Sequence, residues 1–128
     1  MIVLDFLRAD MKRFYSNFAV GREYGSMVIE ALKQTSATAV VSHNCQCAQG
    51  IIQVLLENNI KDPEDLSVIC FGDIESNKYF SVSITAIKVP VFEMINEIIN
   101  HLGIDSIEKS RHIFYSTLIP RKSTSGVQ

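Results

Sequence analysis

The sequence lacks several features that would have marked its class at once. It has no run of about 18 apolar residues, which excludes a transmembrane helix. It has no excess of positive charge, since the net charge is −2 and the pI is near 5.9, so overall charge gives no reason to expect nucleic-acid binding. The opening MIVLDFLRAD lacks the basic start of a signal peptide and contains Asp5. No internal repeat or low-complexity segment interrupts the chain.

Cysteine is scarce as well. The three cysteines are an odd number, and without an export signal we expect reduced thiols and a cytoplasmic location. The overall composition, 47% hydrophobic and 20% charged over 128 residues, suits a globular protein with a hydrophobic core. We therefore expect one domain over residues 1–128.

Hydrophobic periodicity predicts alternating helices and strands. Predicted helices cover 2–13, 27–34, 45–58 and 91–102, and predicted strands cover 14–18, 38–42, 66–71, 83–89 and 112–119. Gly21 to Gly25 is expected to break the chain, 66–71 to be buried on both sheet faces, 74–83 to be irregular, and 122–128 to be a polar tail. This order favours an α/β fold of three layers, with a mostly parallel sheet and helices on both faces.

In such sheets ligands bind beyond the carboxyl ends of the strands. Two predicted loops occupy that position: the residues from His43 to Cys45, and those from Gly72 to Asn77. Asn44 is a good helix N-cap, and Cys45 would then lie in the first helical turn, where the helix dipole lowers a thiol pKa.

This stretch leaves three interpretations open. Cys45 with His43 as its base would suit a cysteine enzyme, but no orienting acid is identifiable. A zinc site would need a second ligand pair, and His101 and His112 are isolated in sequence, so no metal or cofactor is expected. The third interpretation makes Cys47 and Cys70 small buried apolar residues and Asn44 a cap that also meets a ligand.

Four segments, in this order and spacing, resemble the carboxyl-terminal part of the LacI/GalR family of transcriptional repressors. They read SHNCQCAQG at 42–50, KDPEDLSVICFGD at 61–73, ITAIKVP at 84–90 and LIPRKST at 118–124. The corresponding family patterns are a strand ending in Ala-Asn-Asp before a helix, Asp-Ile-Ser-Val-Ile-Gly-Phe-Asp-Asp, Leu-Thr-Thr-Ile-x-x-Pro, and Leu-Ile-x-Arg-x-Ser-Thr. The matches span roughly two thirds of the chain.

The resemblance implies a periplasmic-binding-protein-like core of two lobes that changes conformation with a small effector, often a sugar. It also implies homodimers and an amino-terminal helix-turn-helix that binds DNA, with no membrane partner. Neither the helix-turn-helix nor most of the first lobe is among these 128 residues. We expect a fragment that begins inside the first helix of the second lobe and carries effector sensing and dimerisation.

Two positions depart from the family pattern. Cys45 replaces the Asp that follows Asn, and Gly72 replaces the cleft Asp, although Asp73 follows at once. The resemblance therefore assigns ligand binding to Asn44, and to Asp73 if it substitutes for the missing carboxylate; the flanking His43 and Phe71 complete the set. Loss of a buried carboxylate would cost a sugar several kcal/mol, by order of magnitude, so the ligand is not an ordinary sugar or sensing is lost.

The family's cleft Arg has no clear match, with Arg8 and Arg13 the nearest candidates and both equally suited to solvated helix positions. The helix over 91–102 crosses back to the first lobe in the family, so its apolar stripe should lack a partner here and favour self-association. Two alternatives remain: a sugar-binding protein of a transporter, which should carry a signal peptide, and the cysteine enzyme above.

Overall fold

The computed structural model describes residues 17–102 and 111–126. Within these ranges, three helices and four strands follow in the order α1 (Phe18–Leu32), β1 (Ala39–Ser42), α2 (Cys45–Glu57), β2 (Ser67–Phe71), β3 (Thr85–Lys88), α3 (Val91–His101) and β4 (Thr117–Ile119), with a 3-10 turn at Glu75–Lys78 between β2 and β3. The predicted helix over 2–13, with Arg8 and Arg13, and most of the predicted strand over 14–18 lie outside the described residues.

The four strands form one sheet in the order β1-β2-β3-β4. The first three strands are parallel, with Val40 opposite Val68 and Cys70 opposite Ala86, whereas β4 runs antiparallel to β3. This confirms the mostly parallel sheet with helices that the sequence predicts. The carboxyl ends of β1 and β2 therefore lie side by side at one edge of the sheet.

The core lies between the sheet and α2. Val40, Val68 and Cys70 point from the strands into a cluster that includes Ile52 and Leu55 of α2, all nearly inaccessible to solvent. The opposite side of β2 is more open, because 48% of Phe71 is exposed. The prediction that β2 is buried on both faces is wrong at this residue.

The expected break at Gly21 to Gly25 is also wrong, because both glycines lie inside α1. A Cβ on Gly21 would lie 2.3 Å from the carbonyl oxygen of Cys47, and a Cβ on Gly25 would lie 2.7 Å from Cβ of Val54. The glycines thus mark the line along which α1 packs on α2. Because Gly21 meets the start of α2 and Gly25 meets a later turn, the two helices run in the same direction.

The segment from β4 to Ser123 pairs with the central strands of the sheet. β4 covers only Thr117–Ile119, which is shorter than the strand predicted over 112–119. Ser123 is fully buried: its carbonyl accepts from the Val68 amide at 2.8 Å, and its hydroxyl accepts from the Thr85 amide at 2.8 Å and donates to the Val68 carbonyl at 2.5 Å. The expectation of a polar tail is therefore wrong at this residue, which joins β2 to β3.

α3 is confirmed within one residue of its predicted end, and none of its residues is buried among the described part of the chain. The predicted apolar stripe is exposed, with Ile98 at 60% and Leu102, just after the helix, at 72%. In the described ranges no helix is both long enough and apolar enough to cross a bilayer.

Candidate ligand-binding edge

The turn from β1 to α2 is built around Asn44. Its side-chain oxygen accepts a hydrogen bond from the Cys47 amide at 2.8 Å, which confirms the predicted N-cap. Its side-chain nitrogen lies 3.1 Å from Nε2 of His43, and its carbonyl accepts from the Ser42 hydroxyl at 2.9 Å. The amide and the imidazole are therefore held together at the carboxyl end of β1, with His43 exposed.

A second capped helix begins at the same edge. The side-chain oxygen of Asn17 accepts from the Val20 amide at 3.1 Å, and the Asn17 carbonyl lies 3.5 Å from Sγ of Cys47 in the first turn of α2. Two helix N-termini, each with a partial positive charge, thus meet beside Asn44. Sequence reasoning missed Asn17 because a strand was expected there; the available signal was an Asn preceding an amphipathic run.

The two departures from the family pattern meet in space. Sγ of Cys45 lies 3.2 Å from the Gly72 carbonyl and 3.4 Å from Sγ of Cys70. Gly72 has φ +86° and donates its amide to the Ile87 carbonyl at 2.9 Å. A side chain at this left-handed position would be strained. Cys45 therefore connects the turn after β1 to the end of β2, where its thiol lies near the backbone carbonyls of Phe71 and Gly72.

Asn77, which the sequence gave no reason to single out, organises the interior of this edge. It is fully buried, and its side-chain nitrogen lies 3.3 Å from Sγ of Cys45, 3.4 Å from Sγ of Cys70 and 3.2 Å from a carboxylate oxygen of Asp73. Burial, with the adjacent Cys45 thiol, raises the pKa of Cys70 to about 12. Such a thiol is a poor nucleophile at neutral pH.

The thiol of Cys45 is also buried and contacts the end of β2, while the His43 ring packs edge-on to Tyr24 at 6.4 Å between ring centroids. The described contacts thus assign Cys45 a packing role, which does not support the interpretation of Cys45 and His43 as a catalytic pair.

Asp73 forms an ion pair with Arg121, a contact that the sequence did not predict. Both of its carboxylate oxygens accept hydrogen bonds from the Arg121 guanidinium at 2.9 Å, and Arg121 also donates to the Ile84 carbonyl. The Asp73 and Arg121 side chains are only 13% and 10% exposed. The Arg121 hydrogen bonds hold the pKa of Asp73 below its usual range. This geometry favours a structural role for Asp73, so its role in ligand binding stays a prediction.

Sequence and structure comparisons agree with this architecture. Residues 8–124 match the family of periplasmic binding protein-like domains. The transcriptional regulator AscG of Escherichia coli K12 is 37% identical over 84 residues, which cover 66% of this chain and 24% of AscG. The regulator GalS of Salmonella typhimurium LT2 is 30% identical over 109 residues, which cover 80% of this chain and 32% of GalS. The chain thus spans about a quarter to a third of these relatives.

Among solved structures, the E. coli transcriptional repressor AscG superposes with a TM-score of 0.75 at 34% identity, covering 86% of this chain and 40% of AscG. A LacI-family regulator from Enterococcus faecium with bound ribose superposes with a TM-score of 0.73 at 22% identity, covering 88% of this chain and 42% of that protein; at this identity it shows the fold alone. The chain therefore belongs to the periplasmic binding protein-like domain family, in the LacI/GalR branch that its sequence motifs indicate.

Proposed function

We propose that this chain is the effector-sensing and dimerisation part of a LacI/GalR-type transcriptional regulator that works in the cytoplasm. DNA would be bound only by an amino-terminal helix-turn-helix outside these 128 residues. The observation that carries the proposal is the pair of capped helix N-termini at Asn17 and Asn44, which lie beside the exposed His43. Cys45 joins this edge to the end of β2, where Phe71 is also exposed. Such an edge offers hydrogen-bonding groups and an aromatic surface to a small polar molecule.

The proposed effector is a small molecule with several hydroxyl groups, such as a sugar or a related compound. Asn44 and His43 supply amide and imidazole groups, and Phe71 supplies an apolar face. No carboxylate stands at Gly72, and the Asp73 carboxylate is paired with Arg121. The edge therefore depends on neutral hydrogen bonds, each worth about 1 kcal/mol, and we expect weak binding by this single lobe.

The binding experiment uses the 15N-labelled chain titrated with millimolar ribose, glucose and sucrose. We expect amide resonances of residues 43–45 and 71–73 to shift. Asn44→Asp keeps the cap acceptor but removes the amide donor, so it should weaken binding about fivefold, equivalent to one neutral hydrogen bond. Asn58→Ala, at the opposite end of α2, where the side chain donates to the Val54 carbonyl, should leave binding unchanged. Shifts scattered over the surface, or equal in both variants, would contradict the proposal.

The regulator assignment has its own test, the coding sequence upstream of Met1. An in-frame first lobe preceded by a helix-turn-helix supports it. A secretion signal in that position would instead favour a sugar-binding protein of a transporter, and a stop codon would contradict a working sensor. Because this test does not depend on ligand affinity, its outcome and that of the titration are separable.

We also propose homodimerisation. α3 presents apolar side chains that no described element buries, and contact with a second copy would remove them from water. The regulator proposed above would offer a first lobe as a further contact for this helix.

A further inference from the structure

Two histidines that are isolated in sequence are neighbours in space. Glu97 and His101 are four residues apart on α3 and therefore lie on the same side of the helix. His112 reaches them from the segment before β4: its Nδ1 lies 2.9 Å from Oε1 of Glu97. The rings of His101 and His112 are 5.1 Å apart between centroids. We infer that Glu97, His101 and His112 form a binding site for a divalent transition-metal ion such as Zn²⁺.

The donor set matches the chemistry of that ion. Imidazole nitrogens and a carboxylate oxygen are common zinc ligands, with metal–ligand distances of about 2.0–2.2 Å. One ligand atom from each of the three residues lies within 4.8 Å of the other two. Ligand atoms around a single ion at those distances are roughly 3–4 Å apart, so small side-chain rotations bring all three into range.

The second contact of His101 prepares it for coordination. Its Nδ1 lies 2.8 Å from the backbone carbonyl of Glu97. A neutral imidazole that donates its Nδ1 proton to this carbonyl carries its free lone pair on Nε2, which is then the nitrogen available to a metal. A backbone carbonyl that fixes the tautomer and the ring orientation is a common outer partner of zinc-bound histidine.

A bound ion would replace the hydrogen bond between Glu97 and His112. The three side chains are about one third to two fifths exposed, which leaves room for water as the fourth ligand. Three protein ligands with one open position are an established zinc arrangement. The ion would join the carboxyl-terminal end of α3 to the segment leading into β4, so binding should also raise the thermal unfolding temperature.

Competition of the full chain with a chromophoric chelator for Zn²⁺ tests the site. We expect one ion per chain. His101→Ala and His112→Ala should each lower the affinity by at least about 100-fold, since loss of a mere outer partner already costs 10–100-fold. His43→Ala is the matched control, because His43 is the remaining one of the chain's three histidines and lies at the ligand-binding edge. This variant should bind Zn²⁺ as tightly as the parent chain does.

The residues that coordinate the metal are identified independently, from the visible spectrum of the Co²⁺-loaded chain and from the histidine ring resonances. We expect a spectrum without thiolate charge-transfer bands, and Zn²⁺-induced shifts at His101 and His112 but not at His43. Thiolate bands, equal affinity in all three variants, or no binding by the parent chain would overturn the proposal. Circular dichroism checks that each variant is folded. We expect that it is, because the His101 and His112 side chains are partly exposed.

Discussion

At the scale of single residues, Asp62 is the least satisfied group of the described chain. It is 6% exposed, and neither carboxylate oxygen has a hydrogen-bond partner among the described residues. Burial, with a smaller contribution from the negative charge of Glu64, raises the pKa of Asp62 from 3.8 to about 7. The folded state therefore prefers the protonated acid. The contribution of this group to the free energy of unfolding is fully present below the unfolded pKa and is lost as the pH rises through the folded pKa.

Asp62→Asn should remove this dependence. Three pKa units correspond to about 4 kcal/mol, so the parent chain should lose up to that much stability, from this group, between about pH 4 and pH 7. The variant should be the more stable protein at pH 8. Urea unfolding across this pH range measures the difference. Asp65→Asn, in the same loop but exposed, controls for the lost charge; equal pH profiles for the two variants would show that Asp62 does not titrate as described.

Arg121→Met tests the pair with Asp73. Removing the guanidinium leaves the Ile84 carbonyl without its donor, and it leaves the mostly buried Asp73 carboxylate with the hydrogen bond from Asn77 but without the Arg121 charge. We expect a loss of about 3–5 kcal/mol at pH 7 in chemical denaturation. Because the pair lowers the pKa of Asp73, its stabilisation is present above the unfolded pKa and is lost as the pH falls through the folded pKa. The difference between variant and parent should therefore narrow in acid.

Arg22→Met is the control for that experiment. Arg22 forms a slightly shorter bidentate pair with Glu57 between α1 and α2, but this pair is exposed, so its removal should have a much smaller effect on stability. Similar losses of stability in both variants would mean that burial of the pair between Asp73 and Arg121 does not increase its contribution to stability.

At the scale of elements, α1 and α2 pack closely because glycines, which have no side chain, lie at their contact. A Cβ on Gly50 would lie 2.3 Å from the Phe18 carbonyl oxygen, which is backbone and cannot rotate away. Gly50→Ala should therefore separate the helices and destabilise the fold by about 2 kcal/mol, even though alanine is the better helix former. Guanidinium unfolding measures this. Gly126→Ala, where a Cβ would meet open space, should be nearly neutral; a neutral Gly50→Ala would refute the close contact.

Gly21 and Gly25, inside α1, show why part of the fold could not be predicted from the sequence. β1, β2 and β3 were predictable because short runs of β-branched and apolar residues sit between turn signals. α1 was mispredicted because glycine disfavours a helix locally, whereas here the packing of a second helix decides. The positions of Asn44 and His43 followed from strand order. The pairing of Asp73 with Arg121 did not, because the two residues are 48 positions apart and no local pattern links them.

At the scale of the whole molecule, the exposed side of α3 predicts association. We expect a dimer by light scattering at tens of micromolar. The double variant Ile95→Glu with Ile98→Glu should be monomeric, because charges in the stripe would be buried without partners. Leu56→Glu, which places the same charge at an exposed apolar position of α2, should leave the dimer intact. A monomeric parent chain would rule out association through this helix.

The position of Ser123 has a consequence for biosynthesis. This residue pairs with both β2 and β3, yet it follows every described helix and strand in sequence. A nascent chain on the ribosome cannot complete those contacts until Ser123 has left the exit tunnel. Until then the apolar strand β2 lacks these partners and stays accessible to chaperones. A ribosome stalled before Ser123 would therefore display an open sheet that proteases can cut.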